Sequence, residues 1–244
     1  QLGEATSHLL IKGYILPLAM YHLKDNVPAR DFLTRQYESF RPLGVPTTDP
    51  CIVANLQFQE SPTTGKRVIE DFQANPSLAL ASSGAAVTYT ITDVTEGRMD
   101  DASLTLDHDP TDPWNGFTQA APTDLTKGLV FSYEGGDRHL TFDLVPADRD
   151  WSGFEHLSFR ACQGTRHPLT TSYLGDTIFD VELVDGSGNA SVVSVGAYGG
   201  GIEEPFQRFG CQNSTGWANE FETVRLALEG FTEGDPTFER TDVH

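Results

Sequence analysis

Three carboxylates stand within six residues in the segment Asp107-His-Asp-Pro-Thr-Asp. Carboxylate oxygens on a turn are the hard ligands that Ca²⁺ prefers, so Asp107, Asp109 and Asp112 are candidate ligands of a structural calcium ion. The same residues also suit a solvated acidic turn, because Asp side chains favour Asx turns next to proline. The segment therefore predicts either a calcium loop or an acidic turn that needs no metal.

Aromatic rings beside amide groups occur at three places that can hold a flat, hydroxylated ligand. Rings cover the apolar faces of sugars, while polar groups recognise the sugar hydroxyls. The glycine run 199–201 also allows the backbone to approach a ligand closely. The alternative for Trp217, as for Trp151, is a place at the end of a hydrophobic core. The candidate ligand-binding residues are Trp114, Asn115, Tyr198, Trp217 and Asn219.

The chain has three cysteines, Cys51, Cys162 and Cys211. In an oxidising compartment we expect a disulfide between Cys162 and Cys211, which leaves Cys51 to pair with a residue outside this chain. Three buried, reduced thiols are the alternative, because cysteine also behaves as a small hydrophobic residue. Cysteine usage alone does not decide between these two arrangements.

The composition excludes two classes of protein. The 244 residues include 35 Asp and Glu against 16 Lys and Arg, a formal net charge of -19. Such a field repels nucleic acid backbones and anionic lipid headgroups, so we expect no nucleic acid partner. No apolar run reaches the roughly 20 residues of a membrane-spanning helix, so we expect no membrane span. An acidic surface also suits a secreted protein or one that gathers divalent cations.

The apolar pattern divides the chain into a short helical part and a long β part. Helical spacing predicts helices at about residues 7–24 and 28–40, and a Pro-rich linker covers 46–65. The regions are thus 1–45, 46–65 and 66–244. Short alternating runs separated by turn residues predict a mainly β domain, a jelly-roll β-sandwich, in the last region. We predict strands at 67–72, 86–92, 103–107, 128–133, 139–144, 156–161, 178–184, 192–198 and 222–228.

The helical part resembles the end of a known enzyme family. It reads ATSHLLIKGYILPLAMYHL from Ala5 and continues with Arg30-Asp-Phe-Leu-Thr-Arg. These residues resemble the last segment of secreted α/β-hydrolases of the esterase, lipase and acetylhydrolase type. The resemblance implies that His8 is the catalytic base of a Ser-His-acid triad. The chain contains no Gly-x-Ser-x-Gly motif, so the nucleophile and the acid are expected on residues outside it. Ser187 in Asp185-Gly-Ser-Gly-Asn has the wrong spacing for that motif, and we predict a hairpin turn there instead.

The β part resembles the galactose-binding-like jelly rolls that serve as carbohydrate-binding modules in secreted bacterial proteins. The resemblance rests on Val68-Ile-Glu-Asp-Phe, Trp151-Ser-Gly-Phe-Glu-His-Leu-Ser-Phe-Arg and Asn219-Glu-Phe-Glu-Thr-Val-Arg-Leu-Ala-Leu. It implies that Glu70 and Asp71 lie close to a structural calcium site. Such domains usually continue past an Asp-Val like Asp242-Val243, so we expect that the last strands come from another chain or from beyond His244.

Together these resemblances imply the C-terminal portion of a secreted serine-esterase or lipase-like hydrolase, with His8 and a β-sandwich accessory module. The expected partners are a carbohydrate or ester polymer surface, and either the missing N-terminal part of the hydrolase or another subunit. Whether this chain is an enzyme stays open, since it lacks a nucleophile motif. The alternative is a non-enzymatic extracellular binding, adhesion or assembly protein. A sandwich that itself cleaves polysaccharide is a third possibility.

Overall fold

A computed structural model describes most of the chain. Its helical part comprises 3–34 and 43–45, and the β part begins at 65. The predicted linker 46–65 therefore falls almost wholly outside the described residues, as does the predicted strand 103–107. The described ranges are 3–34, 43–45, 65–98, 127–164, 175–198, 201–202, 206–211, 214–218 and 222–244.

Two helices lie in the described residues of the N-terminal part, as the apolar spacing predicts, although residues 35–40 of the predicted second helix fall outside the described ranges. Helix α1 spans Glu4–Lys24 and ends where Asp25 adopts a left-handed conformation, with its N–H bonded to the carbonyl oxygen of Tyr21. Helix α2 spans Val27–Thr34 and is capped by the side chain of Asn26. An asparagine oxygen at this position satisfies a backbone amide that the first turn leaves unpaired. The short capped turn brings the two helices side by side.

The helices pack through aromatic and aliphatic side chains on one side of each. The rings of Tyr14 and Phe32 lie 5.7 Å apart, and Ala29 and Leu33 are buried. Among the described residues, no helix is both long enough and apolar enough to cross a bilayer. An ion pair between Arg30 of α2 and Glu155 reaches from this helical pair to the β part.

Within the described ranges, ten strands pair in five antiparallel ribbons, which confirms the prediction of a mainly β chain. The pairs are β1 with β4, β2 with β3, β5 with β10, β6 with β7, and β8 with β9. The strands are β1 Ala86–Tyr89, β2 Thr92–Arg98, β3 Lys127–Ser132, β4 Leu140–Asp143, β5 His156–Ala161, β6 Asp180–Val184, β7 Ala190–Ser194, β8 Phe206–Cys211, β9 Ser214–Ala218 and β10 Glu222–Ala227.

One hydrophobic core joins several of these ribbons. A short helix, α3 (Leu228–Gly234), follows β10 directly and places Phe231 in the core beside Leu226. Leu183 of β6 and Trp151 belong to the same cluster, so the prediction that Trp151 fills the core is confirmed. The indole N–H of Trp151 donates to the carbonyl oxygen of Asp148, which satisfies its polar atom. Burial of these side chains supplies the main driving force for folding this part.

The turn between β6 and β7 is built around one carboxylate. Asp185 is only 3% exposed and accepts hydrogen bonds from the backbone amides of Ser187, Asn189 and Glu239. The side-chain amide of Asn189 also donates to it, and this bond is the main cause that lowers the pKa of Asp185. The predicted hairpin turn at Asp185-Gly-Ser-Gly-Asn is therefore confirmed.

The final residues are part of this structure. Val243 is buried and forms a β-bridge with Asp185, and the backbone amide of His244 donates to the carbonyl oxygen of Val184. Residues 242–244 thus begin to pair along the side of β6 that β7 leaves uncovered. This pairing explains why the side chain of Val243 is fully buried.

Candidate functional site

A cleft opens between the β1–β4 ribbon and the β2–β3 ribbon. Its empty volume is about 290 Å³ including the open mouth. Strands from both ribbons form its walls, and the loop 70–78 closes one side. The wall is mostly apolar, which is typical of small-molecule sites. The lining residues are Glu70, Phe72, Asn75, Ser77, Leu78, Val87, Tyr89, Val94, Glu96, Leu129, Leu140 and Phe142.

The loop is fixed to the sheet by one glutamine. The side-chain amide of Gln73 donates to the backbone carbonyl of Lys127, and its oxygen accepts from the backbone amide of the same residue. Lys127 is the first residue of β3, so this pair of bonds holds the loop against the β2–β3 ribbon. The position of the loop, and with it the shape of the cleft, is therefore set by hydrogen bonds.

Two acidic residues shape the loop at its start. The carboxylate of Glu70 accepts from the backbone amides of Phe72 at 2.5 Å and Ser82 at 3.2 Å. The carboxylate of Asp71 accepts from the amides of Gln73 and Ala74. Phe72 has a φ of 56°, a left-handed conformation that is uncommon for a phenylalanine. These side-chain bonds hold the strained turn that directs Phe72 toward the cleft.

The polar end of the cleft consists of Asn75, Glu96 and Lys127. The side-chain NH₂ of Asn75 donates to the carboxylate of Glu96 at 2.5 Å, and the ammonium of Lys127 lies 3.9 Å from the other carboxylate oxygen. A carboxylate only accepts hydrogen bonds, so it fixes the NH₂ group toward itself and the carbonyl oxygen Oδ1 away from itself. This orientation gives the Asn75 side chain a defined acceptor.

That acceptor is buried and has no hydrogen-bond partner among the described residues. A buried polar atom without a partner costs about 1–3 kcal/mol, so such atoms usually meet water or a ligand. Asn75 lines the cleft, but because its Oδ1 is buried a hydroxyl or N–H donor would reach this oxygen only after the neighbouring side chains move. The phenol of Tyr89, whose residue is 39% exposed, stands at the rim. The cleft thus combines rings, a carboxylate and an unsatisfied acceptor.

The structure places the predicted triad histidine on a helix surface. His8 is exposed and lies inside α1, whereas the hydrolase resemblance places the catalytic histidine in a loop before the last helix. The Gly-x-Ser-x-Gly motif is absent from the whole sequence. The catalytic role of His8 stays a prediction.

The side chains of all five predicted ligand-binding residues fall outside the described part of the structure. Trp114, Asn115 and Asn219 fall outside the described residues, and so do the side chains of Tyr198 and Trp217. Tyr198 ends a turn of 3₁₀ helix after β7, and Trp217 lies in β9. Their role in binding stays a prediction.

The predicted calcium ligands are only partly described. Asp107, Asp109 and Asp112 lie outside the described residues. Glu70 and Asp71 are described, and their carboxylates hold backbone amides of the loop as given above. Calcium takes about six to eight oxygen ligands, and no group of three acidic, His or Cys side chains suited to a metal occurs within the described part of the chain. Glu70 and Asp71 alone therefore fall short of a calcium site, and calcium stays a prediction.

Only one of the two cysteines in the predicted disulfide has a described side chain. Cys162 follows β5 directly and is half-buried, whereas Cys211 ends β8 and its side chain falls outside the described residues. Cys51 also lies outside them. The pairing of Cys162 with Cys211 stays a prediction.

Sequence patterns did not reveal the residues that line the cleft. Asn75 and Glu96 are 21 positions apart and belong to no motif. The segment with Tyr89 was predicted as a strand, but nothing in it marked the ring as part of a cleft. Only the register of β1 with β4, in which Tyr89 lies opposite Leu140, brings the ring to that edge.

Comparison with known proteins adds no assignment. No family model, curated protein or solved structure matches this chain.

Proposed function

We propose that this chain is a non-catalytic binding unit of an extracellular or cell-surface protein, and that it holds a hydroxylated ligand of the carbohydrate class in the cleft. The observation that carries the proposal is Oδ1 of Asn75, a buried acceptor without a partner at the end of an apolar cleft. A sugar hydroxyl can donate one hydrogen bond to this oxygen and can accept another from a donor group. Of the three functions that the sequence suggests, the proposal takes the non-enzymatic binding protein.

The lining of the cleft supports contact with a single sugar unit. Its empty volume of about 290 Å³ includes open solvent, so the cleft is a shallow surface groove that meets one face of a ligand. The rings of Phe72 and Tyr89 can cover the apolar face of a sugar ring, while the carboxylate of Glu96 can accept from a hydroxyl. A charged phosphate ligand fits poorly, because Glu70 and Glu96 both line the cleft.

Charge favours a neutral polysaccharide over an anionic polymer. The formal net charge of -19 repels sulfated glycans and nucleic acids at long range. A neutral saccharide carries no charge to repel. The ligand class therefore follows from the chemistry of the cleft together with the charge of the chain.

We further propose that the ribbons assemble as a jelly roll. The support is the common core, in which Leu183 of β6, Leu226 of β10 and Phe231 of α3 belong to one cluster with Trp151. Ribbons that share a core on their inner faces are what a two-sheet domain requires. Ester hydrolysis has weaker support, since His8 is exposed on α1.

The test is binding of the whole chain to neutral polysaccharides. Affinity electrophoresis in gels with xyloglucan, galactomannan, mixed-linkage β-glucan or starch identifies a retarding polymer, and titration calorimetry with its oligosaccharide gives the dissociation constant. Tyr89→Ala should weaken binding about tenfold, because a stacking ring is lost. Tyr133→Ala is the matched control: Tyr133 is 48% exposed and does not line the cleft.

Asn75→Leu tests the unsatisfied oxygen directly. Leucine keeps the volume of the side chain but removes Oδ1, so we expect binding weakened by at least about tenfold. Thermal unfolding of each variant verifies that the fold is kept. The proposal is wrong if no neutral polysaccharide retards the chain, or if Tyr89→Ala and Tyr133→Ala weaken binding equally.

A further inference from the structure

Segment 242–244 is held by backbone hydrogen bonds on two sides. The amide of His244 donates to the carbonyl oxygen of Val184 on β6 at 2.7 Å. The amide of Val243 donates to the carbonyl oxygen of Arg149 at 2.9 Å. Val243 is 1% exposed and belongs to the hydrophobic core. The segment therefore covers part of one edge of β6 and also fills part of the core.

A side-chain hydrogen bond fixes the imidazole of His244. Nη1 of Arg149 lies 2.6 Å from Nε2 of this ring. A guanidinium group has only donors and keeps its proton in proteins, so Nε2 must be the acceptor. An acceptor nitrogen carries no proton, so the bond requires a neutral imidazole whose single proton is on Nδ1. The bond therefore exists in one protonation state of His244 and cannot form in the other.

The guanidinium of Arg149 is itself fixed. Its Nε donates to the carbonyl oxygen of Leu144 at 2.9 Å, and only 24% of the side chain is exposed. Protonation of His244 would bring two cations into contact, with a donor facing a donor. Because Arg149 is held in place and the side chain of His244 is 34% exposed, the imidazole is the group that moves away.

The other charges near the imidazole do not compensate for this repulsion. The charged side chains on the elements packed around the ring are Arg149, Arg240, Asp143, Asp185, Asp242 and Glu182. Asp242 attracts a protonated ring, but its oxygen is 3.7 Å from Nε2 and its side chain is 54% exposed, so this ion pair is weak. Asp143 and Glu182 are exposed, so solvent screens their charges. The arrangement as a whole therefore favours the neutral ring.

We propose that His244 is a pH-sensitive switch that controls whether segment 242–244 stays on β6. At neutral and basic pH the neutral imidazole accepts from Arg149 and the segment is held. Histidine gains its proton between about pH 8 and about pH 5, so the bond is lost as the pH falls through this range. The fraction of molecules with a detached segment then rises. Detachment uncovers part of the edge of β6, and an uncovered strand edge can pair with another strand.

Hydrogen exchange of the full chain, followed by NMR, measures the detachment. The protection factors of the Val243 and His244 amides should fall at least about tenfold from about pH 8 to about pH 5.5, because a hydrogen bond from a charged donor is lost. The amide of Leu228, which donates to the carbonyl oxygen of Glu155, is the internal reference and should keep its protection. An equal fall at Leu228 would show global unfolding instead of a switch.

His244→Gln tests the protonation step. The side-chain oxygen of glutamine can accept from Arg149 at every pH, so the protection of the Val243 amide should no longer depend on pH. His22→Gln is the matched control, because His22 is exposed on α1, and this variant should keep the fall of the unchanged chain. Asp242→Asn removes the carboxylate that attracts the protonated ring, so the fall should become larger.

Nitrogen NMR of the His244 ring gives a readout that does not depend on stability. At about pH 8 the chemical shifts should show a protonated Nδ1 and an unprotonated Nε2. A ring that carries its proton on Nε2 at this pH overturns the proposal. So does a protection factor that stays constant in the unchanged chain, a fall that persists in His244→Gln, or a fall that disappears in Asp242→Asn. Saccharide binding is measured separately and decides none of these outcomes.

Discussion

Replacement of Leu226 by alanine tests whether three of the ribbons, β1–β4, β5–β10 and β6–β7, share one core. Leu226 lies near the end of β10, opposite Leu157 of β5, and is completely buried. Phe231 of α3 and Val243 near the end of the chain belong to the same cluster and are at most 1% exposed. The substitution therefore removes three carbons from the place where the strands, the helix and the chain end meet.

The expected loss of stability is about 3 kcal/mol. Leu-to-Ala substitutions in protein cores cost roughly 2–5 kcal/mol, and the cost is larger where the neighbours cannot move into the cavity. Here β10 is held to β5 over six paired residues, which limits such movement. For a domain of this size, 3 kcal/mol corresponds to a fall in melting temperature of about 6–12 °C.

Urea unfolding at 25 °C, followed by tryptophan fluorescence and by circular dichroism, measures the effect. Leu43→Ala is the matched control, since it removes the same carbons from a side chain that is 97% exposed. We expect the control to change the free energy of unfolding by less than about 0.5 kcal/mol. A loss for Leu226→Ala within about 1 kcal/mol of the control would refute the shared core. Two separate unfolding transitions for the β part would refute it as well.

Two further predictions concern single side chains. The hydrogen bond from the Asn189 side chain is the largest cause that lowers the pKa of Asp185, and together with the backbone bonds it outweighs burial, which raises this pKa. The carboxylate should therefore stabilise the fold above about pH 4 and lose this effect as the pH falls through the lowered pKa. Asp185→Asn should accordingly destabilise the chain at pH 7 and progressively less toward pH 3 in urea unfolding, whereas Asp180→Asn, at an exposed site, should have little effect at either pH. A constant difference from pH 7 to pH 3 would contradict this assignment. Hydrolysis of p-nitrophenyl acetate by the purified chain should be the same after His8→Gln as after His22→Gln, because both imidazoles are exposed on α1. A loss confined to His8→Gln would instead support the hydrolase.

The sequence predicted best those elements whose local pattern and tertiary packing agree. The predicted strand 156–161 coincides with β5, because its alternating apolar residues enter the core. The hairpin after β6 was predicted from Asp185-Gly-Ser-Gly-Asn, whose glycines and Asx geometry specify a turn without help from the rest of the chain. Where short-range chemistry alone decides the conformation, sequence reasoning is sufficient.

The prediction of a strand at 67–72 was wrong because side-chain hydrogen bonds override the alternating apolar pattern there. Its residues alternate like a strand, but the carboxylates of Glu70 and Asp71 accept from nearby backbone amides and turn the chain. Such side-chain bonds compete with strand pairing. The last turn of this segment places Phe72 at φ 56°, a left-handed conformation outside the extended range of a regular strand. Acidic residues in an apolar pattern are therefore a signal of a turn that periodicity misses.

Helix α3 and strand β2 were missed because packing overrides their local preference. Helix α3 reads Leu228-Glu-Gly-Phe-Thr-Glu-Gly, and its two glycines argue against a helix. The helix forms because Leu228 and Phe231, three residues apart, are both buried in the core. Strand β2 contains Asp93 at a positive φ and is defined by its pairing with β3. Neither element can be predicted until the residues that it packs against or pairs with are known.

The position of His8 bears directly on the resemblance to hydrolases. A triad histidine must turn its ring toward a serine oxygen and accept a proton, so it needs a fixed ring and a buried carboxylate behind it. On α1 the ring of His8 is exposed, as is that of His22. The hydrolase hypothesis therefore requires another segment or chain to cover His8 with a serine and an acid. If no such partner acts on it, His8→Gln and His22→Gln change the hydrolysis rate equally, and a difference between the two variants is what the hypothesis needs.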